Sequence, residues 1–338
     1  MTTMMRSIQA DAFGPPSVMK IREVPVPEPG TGQARIQVAY VGMNPIDAMA
    51  RGGKIDFLPI KFPFTPGLEH TGIVDKIGPG VAKKWLGTSV ISRNDFGAYA
   101  DFSIAMANNL LCLDRRIDLK IGAVYRGCSF TAWHALYKAG RLQSGETCLI
   151  HSAAGAIGIM ATQIAKSAGC KVVGLAGNTD KIAYAEQFGA DHLFDYTTEG
   201  WEEKVKTALG GRGINLILDG NGGPNSEKNI DLLGLNGRLV YIGATAGDYP
   251  QPIQVPLLIF KNVSVAGMNL ASIEDPPDSE TDRLIIDSTV TGAWKIPITQ
   301  EVELEDVVDL HIRLEERQTM GRAVIRVGGD LFRETHDS

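Results

Sequence analysis

The sequence has few cysteines, and their spacing does not suit a metal centre. Only four occur among 338 residues, at positions 112, 128, 148 and 170. No two of them form a Cys-x-x-Cys pair, and none lies beside a histidine at the spacing typical of metal ligands. We therefore expect reduced, mostly buried thiols, with no zinc lobe and no disulfide framework. This cysteine usage favours a cytoplasmic location.

The chain also lacks a basic excess and a long apolar run. Its formal net charge is −6, which argues against a nucleic acid as partner. No segment approaches the roughly 20 apolar residues of a membrane-spanning helix, so no membrane partner is expected. Residues 1–7 lack the apolar stretch of a secretory signal, and we expect them to form a short loose tail. The length of the chain suggests two domains.

Strand and turn signals dominate the first third of the sequence. Three β-branched segments bounded by Gly or Pro predict strands at 19–26, 34–41 and 72–77. Helical apolar spacing then begins near residue 123 and ends before Gly140. The first 125 residues are accordingly expected to be mostly β-structure.

From residue 146 onward, apolar strands alternate with amphipathic helices. The predicted strands are 146–151, 171–175, 192–195, 214–219, 237–242 and 263–268. The predicted helices are 157–168, 181–188, 201–209, 225–233 and 255–261. This alternation predicts an α/β fold with a parallel, doubly wound sheet. After a polar loop, a strand near 295–302, a helix at 305–315 and a strand at 322–327 are expected to complete the first domain.

A turn of small residues between the first two of these strands gives the clearest functional signal. It runs from Ser152 to Gly158, and Ala153 stands where the usual Gly-x-Gly-x-x-Gly fingerprint has its first glycine. Small residues let the backbone approach a pyrophosphate, whose charge then faces the N–H groups of a helix N-terminus. The alternative is that they serve only close packing of helix on strand. The turn residues predicted to bind the cofactor are Ala154, Gly155, Ala156, Ile157 and Gly158.

The end of the second strand bears on which dinucleotide is bound. NAD sites usually place an acidic residue there to bind the ribose hydroxyls, whereas this strand ends in Ala176-Gly177-Asn178. Lys181 follows closely and could pair with a 2′-phosphate as a point charge. Alternatively, Lys181 is a solvated residue of the first helical turn, and Asp180 only caps that helix. We predict NADPH as the cofactor.

These motifs together resemble the zinc-independent medium-chain dehydrogenases/reductases, and within them the quinone oxidoreductase family. The segments that carry the resemblance are 41–51, 66–74, 97–100, 130–133, 152–158, 189–191, 237–243 and 321–324. The resemblance implies a GroES-like, mostly β catalytic domain at 1–125 and 269–338. It also implies a Rossmann NADPH-binding domain at 126–268 and a homodimer joined at the sheet edge near 263–268.

The resemblance further assigns individual site residues. It implies that Gly177, Lys181 and Tyr196 hold the adenosine 2′-phosphate, and that Thr131 contacts the nicotinamide side. The residues implied to line the cofactor at later strand ends are Asn221, Gly243 and Ala244.

The zinc ligands of related alcohol dehydrogenases are replaced in this sequence. Those relatives carry a Cys at the position of Asn44 and a His at the position of Leu68, and neither replacement provides good zinc ligation. Glu69 and His70 remain. We interpret Glu69 as part of a hydrogen-bonded core network and His70 as a satisfied turn histidine. No metal site is predicted.

Without a Lewis acid, a quinone or α,β-unsaturated carbonyl is an easier acceptor than a simple ketone. The oxygen that gains negative charge then needs a hydrogen-bond donor. Asn44 is the candidate, because its amide lies in the family's active-site loop; alternatively, it caps the turn before Pro45. Asp47 and Arg51 belong to the same pattern. Their spacing predicts an intrahelical ion pair, with contact between Arg51 and substrate or cofactor as the alternative.

Relatives carry tyrosine where this chain has Met49 and Ile55, which predicts a more apolar pocket. Phe57, Phe62 and Phe64 could contribute to it, or could be core residues. The sequence thus predicts a cytoplasmic, NADPH-dependent reductase of quinones or α,β-unsaturated carbonyls (enones). Two other classes remain open: an NADPH-binding structural or regulatory protein with little turnover, and a zinc-type alcohol dehydrogenase.

Overall fold

The computed structural model describes residues 3–55, 59–93, 96–245, 255–273 and 279–328. The chain divides into two compact units. Unit 1 consists of residues 1–126, 275–290 and 298–338, and unit 2 of residues 127–274 and 291–297. The expected boundaries differ from this division on the C-terminal side, because 269–273 and 291–297 lie in unit 2.

Strands are the commonest elements of the described chain. In chain order they are β1 (Met4–Gln9), β2 (Lys20–Pro25), β3 (Gln33–Gly42), β4 (Glu69–Ile77), β5 (Ser89–Ser92), β6 (Phe102–Met106), β7 (Leu110–Cys112), β8 (Thr147–Ile150), β9 (Lys171–Ala176), β10 (His192–Asp195), β11 (Ile214–Asp219), β12 (Leu233–Tyr241), β13 (Ser264–Gly267), β14 (Ile298–Glu303) and β15 (Arg322–Arg326). The α-helices are α1 (Pro45–Arg51), α2 (Leu119–His134), α3 (Ala156–Ser167), α4 (Thr179–Glu186), α5 (Trp201–Ala208), α6 (Asn229–Leu232), α7 (Val255–Lys261), α8 (Glu280–Val290) and α9 (Val307–Glu315).

Unit 1 is built on a seven-stranded sheet. Its strand order is β14-β15-β3-β4-β5-β7, and β6 also pairs with β3. Only β14 and β15 run parallel to each other. Strand β15 pairs antiparallel with β3, so that Val324 lies opposite Gly42. The last strands of the chain therefore complete a sheet whose other strands come from the first third.

The expected loose tail at residues 1–7 is wrong for its described part. Residues Met4–Gln9 form β1, which pairs antiparallel with β2. Ile8 is buried in the core, and its N–H donates to the carbonyl of Tyr99 at 2.8 Å. Arg6 binds the carboxylate of Asp101 at 2.7 Å. Strand pairing and burial hold this segment in place. The absence of an apolar signal stretch, on which the expected tail was based, gives no information about either.

Unit 2 has the predicted doubly wound architecture. Its six strands are all parallel and lie in the order β10-β9-β8-β11-β12-β13. These strands are apolar because helices cover both faces of such a sheet. The helix predicted at 225–233 is shorter than expected: a 3₁₀ turn at Pro224–Lys228 precedes α6, and β12 already begins at Leu233. Within the described residues, no helix combines the length and apolarity needed to cross a bilayer.

Candidate functional site

The predicted phosphate turn joins β8 to α3 and closes on itself. Ser152 adopts a left-handed conformation with φ of 52°. The N–H of Gly155 donates to the Ser152 carbonyl at 2.8 Å, and Gly155 is the N-cap of α3. A Cβ on Gly158 would come within 2.3 Å of the same carbonyl oxygen. Gly158 thus permits close packing of helix on turn, while the first N–H groups of α3 point beyond its N-terminus, where an anion can bind.

Three strand ends meet at the side chain of Asn221. Its Oδ1 accepts hydrogen bonds from the hydroxyls of Ser152 at 2.6 Å and Thr245 at 3.1 Å. These residues follow β8, β11 and β12, which are neighbouring parallel strands. Gly243 lies beside them, since a Cβ there would come within 2.9 Å of the Gly220 carbonyl oxygen. The structure thus brings Asn221 and Gly243 to the carboxyl edge of the sheet, together with the adjoining Ala244, where α/β proteins bind ligands.

The buried carboxylate of Asp219, at the end of β11, holds this edge in place through four hydrogen bonds. Asp219 Oδ1 accepts the backbone N–H groups of Asn221 at 2.8 Å and Gly222 at 3.0 Å. Its Oδ2 accepts from the Ser226 hydroxyl at 2.5 Å and the Asn229 amide at 2.8 Å. Burial acts to raise the pKa of Asp219, but nearby His151 and these hydrogen bonds outweigh it and hold the pKa below its ordinary value. Sequence reasoning missed this network, although an Asp at a strand end before Gly-Asn-Gly-Gly was a usable signal.

The proposed 2′-phosphate residues lie beyond the end of β9. A Cβ on Gly177 would come within 2.9 Å of the Tyr196 hydroxyl oxygen, so Tyr196 lies over this glycine. Helix α4 begins beside them, and Lys181 lies in its first turn. The cap of α4 is Asn178, whose side chain accepts the Lys181 N–H at 2.9 Å. The capping role considered for Asp180 is therefore wrong.

Thr131 lies on α2, in the part of that helix that belongs to unit 2. Its side chain is largely buried. No hydrogen bond joins Thr131 to Asn221 or to the phosphate turn within the described chain. Its contact with the nicotinamide stays a prediction.

In unit 1, the side chain of Asp47 caps the first turn of α1, whose N-cap residue is Asn44. Its Oδ2 accepts the backbone N–H of Asn44 at 2.9 Å, and its Oδ1 accepts that of Gly67 at 3.0 Å. Burial raises the pKa of Asp47 to about 7, against the effect of these two hydrogen bonds. The predicted ion pair between Asp47 and Arg51 is wrong. Asp47 is the third residue of the helix and turns back toward the N-cap, while Arg51 binds the Gly14 carbonyl and the Glu315 carboxylate.

The Asn44 amide is held in a network with Glu69 and Arg322. Its Oδ1 accepts from Arg322 Nη1 at 2.6 Å, and its Nδ2 donates to the Gly42 carbonyl at 3.0 Å. The Nδ2 also lies 3.4 Å from Glu69 Oε2. That same carboxylate oxygen accepts from Arg322 Nη2 at 2.6 Å. Arg322 therefore fixes both partners, and sequence reasoning recorded it only as part of a family motif.

Glu69 lies in a hydrogen-bonded core network, as predicted, whereas His70 lies in strand β4 and not in a turn. The His70 Nε2 contacts the Ser103 hydroxyl at 2.7 Å. Burial lowers the pKa of His70 to about 3, so the ring is neutral near pH 7. Across the described ranges, no three His, Cys, Asp or Glu side chains are grouped so that they could hold a metal ion.

An apolar cluster adjoins α1. Its buried members are Ala50, Ile55 and Phe64, and Ile46, Met49, Ile60 and Phe96 pack against them. Met49 and Ile55 both belong to this cluster. Phe62 instead packs edge-to-face on Phe13, with ring centroids 4.9 Å apart. Phe57 lies outside the described residues.

Comparisons with known families cover both units. The family described as "Alcohol dehydrogenase GroES-like domain" matches residues 30–115, and the family described as "Zinc-binding dehydrogenase" matches residues 156–284.

Individual relatives align over most of the chain. A quinone oxidoreductase of Rattus norvegicus is 30% identical over 311 residues, which cover 91% of this chain and 93% of the rat protein. A quinone oxidoreductase of Sus scrofa is 33% identical over 271 residues, covering 80% and 81%. Among solved structures, the Escherichia coli quinone oxidoreductase complexed with NADPH superposes with a TM-score of 0.87 and 26% identity, covering 95% of this chain and 99% of that one.

Proposed function

The chain belongs to the quinone oxidoreductase family of the medium-chain dehydrogenases/reductases, and on this basis we propose that it is an enzyme that reduces quinones and α,β-unsaturated carbonyls with NADPH and without zinc. The dinucleotide turn between β8 and α3 carries the proposal. The turn leads into a helix N-terminus that can bind a pyrophosphate. Beside it lie the carboxyl edge of the sheet, organised around Asn221, and the end of β9, which has no acidic residue.

The residues of unit 2 fit NADPH. The N–H groups at the start of α3 suit the pyrophosphate. The hydroxyl of Tyr196 and the ammonium of Lys181, beside Gly177, can bind a 2′-phosphate. No acidic residue ends β9, where its negative charge would repel that phosphate. Asn221, Gly243 and Ala244 line the edge, and Thr131 is assigned to the nicotinamide side. When bound, NADPH supplies a hydride.

Asn44 is the proposed hydrogen-bond donor to the acceptor oxygen. Arg322 holds its Oδ1, and this fixes the direction in which the two N–H groups point. One of them donates to Gly42, whereas the contact with Glu69 is long at 3.4 Å. The second N–H is therefore the one available to bind a carbonyl oxygen as negative charge develops on it. Asp47 supports the loop by fixing the start of α1, and Arg51 anchors the end of α1.

Residue chemistry supports reduction without zinc. An amide at position 44 and a leucine at position 68 are poor ligands for zinc. In addition, the Arg322 guanidinium lies 2.6 Å from Asn44 Oδ1, where its positive charge would repel a cation. Conjugated acceptors need less polarisation than simple ketones, and the apolar cluster around Met49 and Ile55 suits their planar carbon skeletons.

We also propose a homodimer joined at the edge of the unit 2 sheet. Strand β13 is the edge strand and offers unpaired backbone groups for strand addition. Helix α7, just before it, exposes 66% of Ile259 and 80% of Phe260. Exposed apolar side chains beside an open edge are typical of an interface. Light scattering should give twice the chain mass, and Phe260→Asp should shift it toward the monomer; a monomeric wild type would contradict the proposal.

A steady-state assay tests the activity directly. Purified protein should oxidise NADPH in the presence of 1,4-benzoquinone, 9,10-phenanthrenequinone or a simple enone, and should prefer NADPH to NADH. Metal analysis should give no stoichiometric zinc in the active protein. Absence of NADPH oxidation above the blank with all acceptors would contradict the proposal.

The other function classes predict different results. A structural or regulatory protein would bind NADPH tightly but would not turn over across a broad panel of acceptors. A zinc-type alcohol dehydrogenase would contain stoichiometric zinc and oxidise alcohols. The hydrogen-bonded Asn44 and the organised edge around Asn221 favour the reductase.

A further inference from the structure

Arginines are concentrated around Glu69, and two of them have carboxylate partners. Arg322 Nη2 lies 2.6 Å from Glu69 Oε2, and Arg126 Nη1 lies 2.5 Å from Asp282 Oδ1. Arg93 is the third. It follows β5 directly, and His70 pairs with Ser92 in the antiparallel ladder of β4 and β5. The next residues in that register are Glu69 and Arg93, so the backbone brings them side by side.

Arg93 differs from the other two because it has no hydrogen-bond partner among the described residues. Among the residues that the structure describes, none makes a hydrogen bond or an ion pair with its guanidinium. The side chain is only partly exposed. Burial lowers the pKa of Arg93; nearby Arg126 adds to this effect, while Glu69 opposes it. A partly desolvated cation that no carboxylate hydrogen-bonds is costly, and such groups often mark binding sites for charged ligands.

The surroundings of Arg93 relate it to the acceptor site. Glu69, its neighbour in the ladder, lies 3.4 Å from the Asn44 amide nitrogen. Glu69 Oε2 accepts from Arg322, and within the described residues no hydrogen bond joins Glu69 to the Arg93 guanidinium. Phe96, three residues beyond Arg93, packs on Phe64 of the apolar cluster, with ring centroids 5.2 Å apart. The Asn44 amide, the aromatic pair Phe64–Phe96 and the Arg93 guanidinium therefore all lie near the end of β5.

On the basis of the proposed function, we propose that Arg93 binds a carboxylate on the acceptor, so that the enzyme prefers acceptors that carry a negative charge beside the reducible carbonyl system. The planar guanidinium fork matches the two oxygens of a carboxylate and forms short, charge-assisted hydrogen bonds. This makes Arg93 a specificity residue. Asn44 keeps its role at the acceptor oxygen.

A matched pair of acceptors tests the preference. 4-Oxo-2-pentenoate and its methyl ester share one enone and differ in charge; because the ester group also makes the alkene more electrophilic, the acid-to-ester ratio of each variant is compared with that of the wild type. The wild type should favour the acid over the ester in kcat/KM by about tenfold or more, the discrimination expected of a charged hydrogen bond. In Arg93→Gln this ratio should fall by about tenfold or more, and Arg93→Lys should keep part of it, because lysine provides the charge without the fork.

Two further measurements separate this role from others. Arg115→Gln removes the same charge from an exposed position in unit 1, and it should leave the acid-to-ester ratio unchanged. Calorimetry of the acid and the ester on protein loaded with NADP⁺ measures binding without turnover. Arg93→Gln should weaken binding of the acid by about tenfold and that of the ester much less.

Three results would overturn the proposal. They are a wild type without preference for the acid, an equal loss for acid and ester in Arg93→Gln, and a weakening of NADPH binding in that variant in place of acid binding. The last result would assign Arg93 to a cofactor phosphate. A protein that reduces no acceptor would contradict the proposed function. The ratio of acid to ester affinity, measured by calorimetry in wild type and Arg93→Gln, would still decide the role of Arg93.

Discussion

The hydroxyl of Ser152 donates a 2.6 Å hydrogen bond to the side-chain oxygen of Asn221. This bond joins the turn after β8 to the turn after β11. Thr245 donates to the same oxygen, while the Asn221 amide nitrogen makes no hydrogen bond to any other described residue. The Asn221 side chain is therefore fixed through its oxygen and retains two N–H donors for a ligand at the sheet edge.

We expect Asn221→Asp to weaken NADPH binding by about tenfold or more, because it replaces two donors with a negative charge that faces an anionic cofactor. The bond from Ser152 is kept in this variant, so the turn should remain in place. The dissociation constant can be measured by fluorescence or calorimetry. Asn108→Asp makes the same change on an exposed residue of unit 1 and should have little effect. Equal affinity in wild type and Asn221→Asp would remove Asn221 from the cofactor site.

Lys181→Ala should alter the choice of dinucleotide. Loss of the ammonium removes a charge-assisted contact with the 2′-phosphate, so the KM for NADPH should rise about tenfold while that for NADH changes little. The measurement is the ratio of the two KM values. Lys204→Ala, an exposed position on α5, provides the control. If both KM values rose together, Lys181 would have a structural role in α4 and no role in phosphate recognition.

Asn44→Ser separates the two roles considered for this residue. Serine is as good an N-cap as asparagine, so the stability of α1 should be kept, whereas the N–H donors are lost. We expect kcat/KM for quinones to fall by about 10²–10³-fold, the usual effect of removing one such donor. NADPH binding serves as the control and should change little, while thermal unfolding measures the stability lost with the bond from Arg322 to the Asn44 oxygen. Full activity in Asn44→Ser would leave helix capping as the only role of Asn44.

The buried His311 should make the protein less stable in acid. Its Nε2 contacts the Tyr99 hydroxyl at 3.2 Å, and burial together with Arg51 lowers the pKa of His311 to about 3. Between about pH 6.5 and 3, the unfolded state binds a proton that the folded state does not, so the free energy of unfolding falls as the pH falls. His311→Gln should reduce this slope by about 1.4 kcal/mol per pH unit in urea titrations. An unchanged slope would contradict the neutral, buried ring.

Asp47 should contribute a slope of opposite sign. Its pKa is about 7 in the folded protein and about 3.9 in an unfolded chain. Over that range the folded state holds a proton that the unfolded state has lost, so the free energy of unfolding falls as the pH rises. Asp47→Asn should be less stable at low pH, because one backbone N–H loses its acceptor, and it should lose the downward contribution of Asp47, about 1.4 kcal/mol per pH unit between about 4 and 7. The same slope in wild type and variant would show that Asp47 does not titrate there.

The cofactor side of the fold could be predicted because its signals are local. One short segment contains the strand, the turn and the helix start, and its periodicity reports burial on both faces of a parallel sheet. The grouping of Gly177, Lys181 and Tyr196 came from the resemblance to the quinone oxidoreductase family, and not from the strand pattern.

The environment of Asn44 could not be predicted in this way. Its oxygen is bound by Arg322, which is 278 positions away along the chain. Helical spacing suggested that Asp47 and Arg51 form a pair, but that rule takes no account of a buried N-terminus that needs capping. The environment of Arg93 depends on which carboxylates bind the neighbouring arginines, Arg126 and Arg322. These pairings join distant parts of the chain, so local sequence patterns do not predict them.

The arrangement of strands in unit 1 has a consequence for synthesis on the ribosome. Strand β15, which pairs with β3 in the finished sheet, and strand β14, which pairs with β15, are translated only after the whole of unit 2. The nascent chain can form a complete dinucleotide-binding fold while the neighbouring sheet still has an open edge at β3. Arg322, which binds both Glu69 and Asn44, also emerges after the whole of unit 2, so the loop that contains Asn44 can acquire its final hydrogen bonds only after unit 2 has been made.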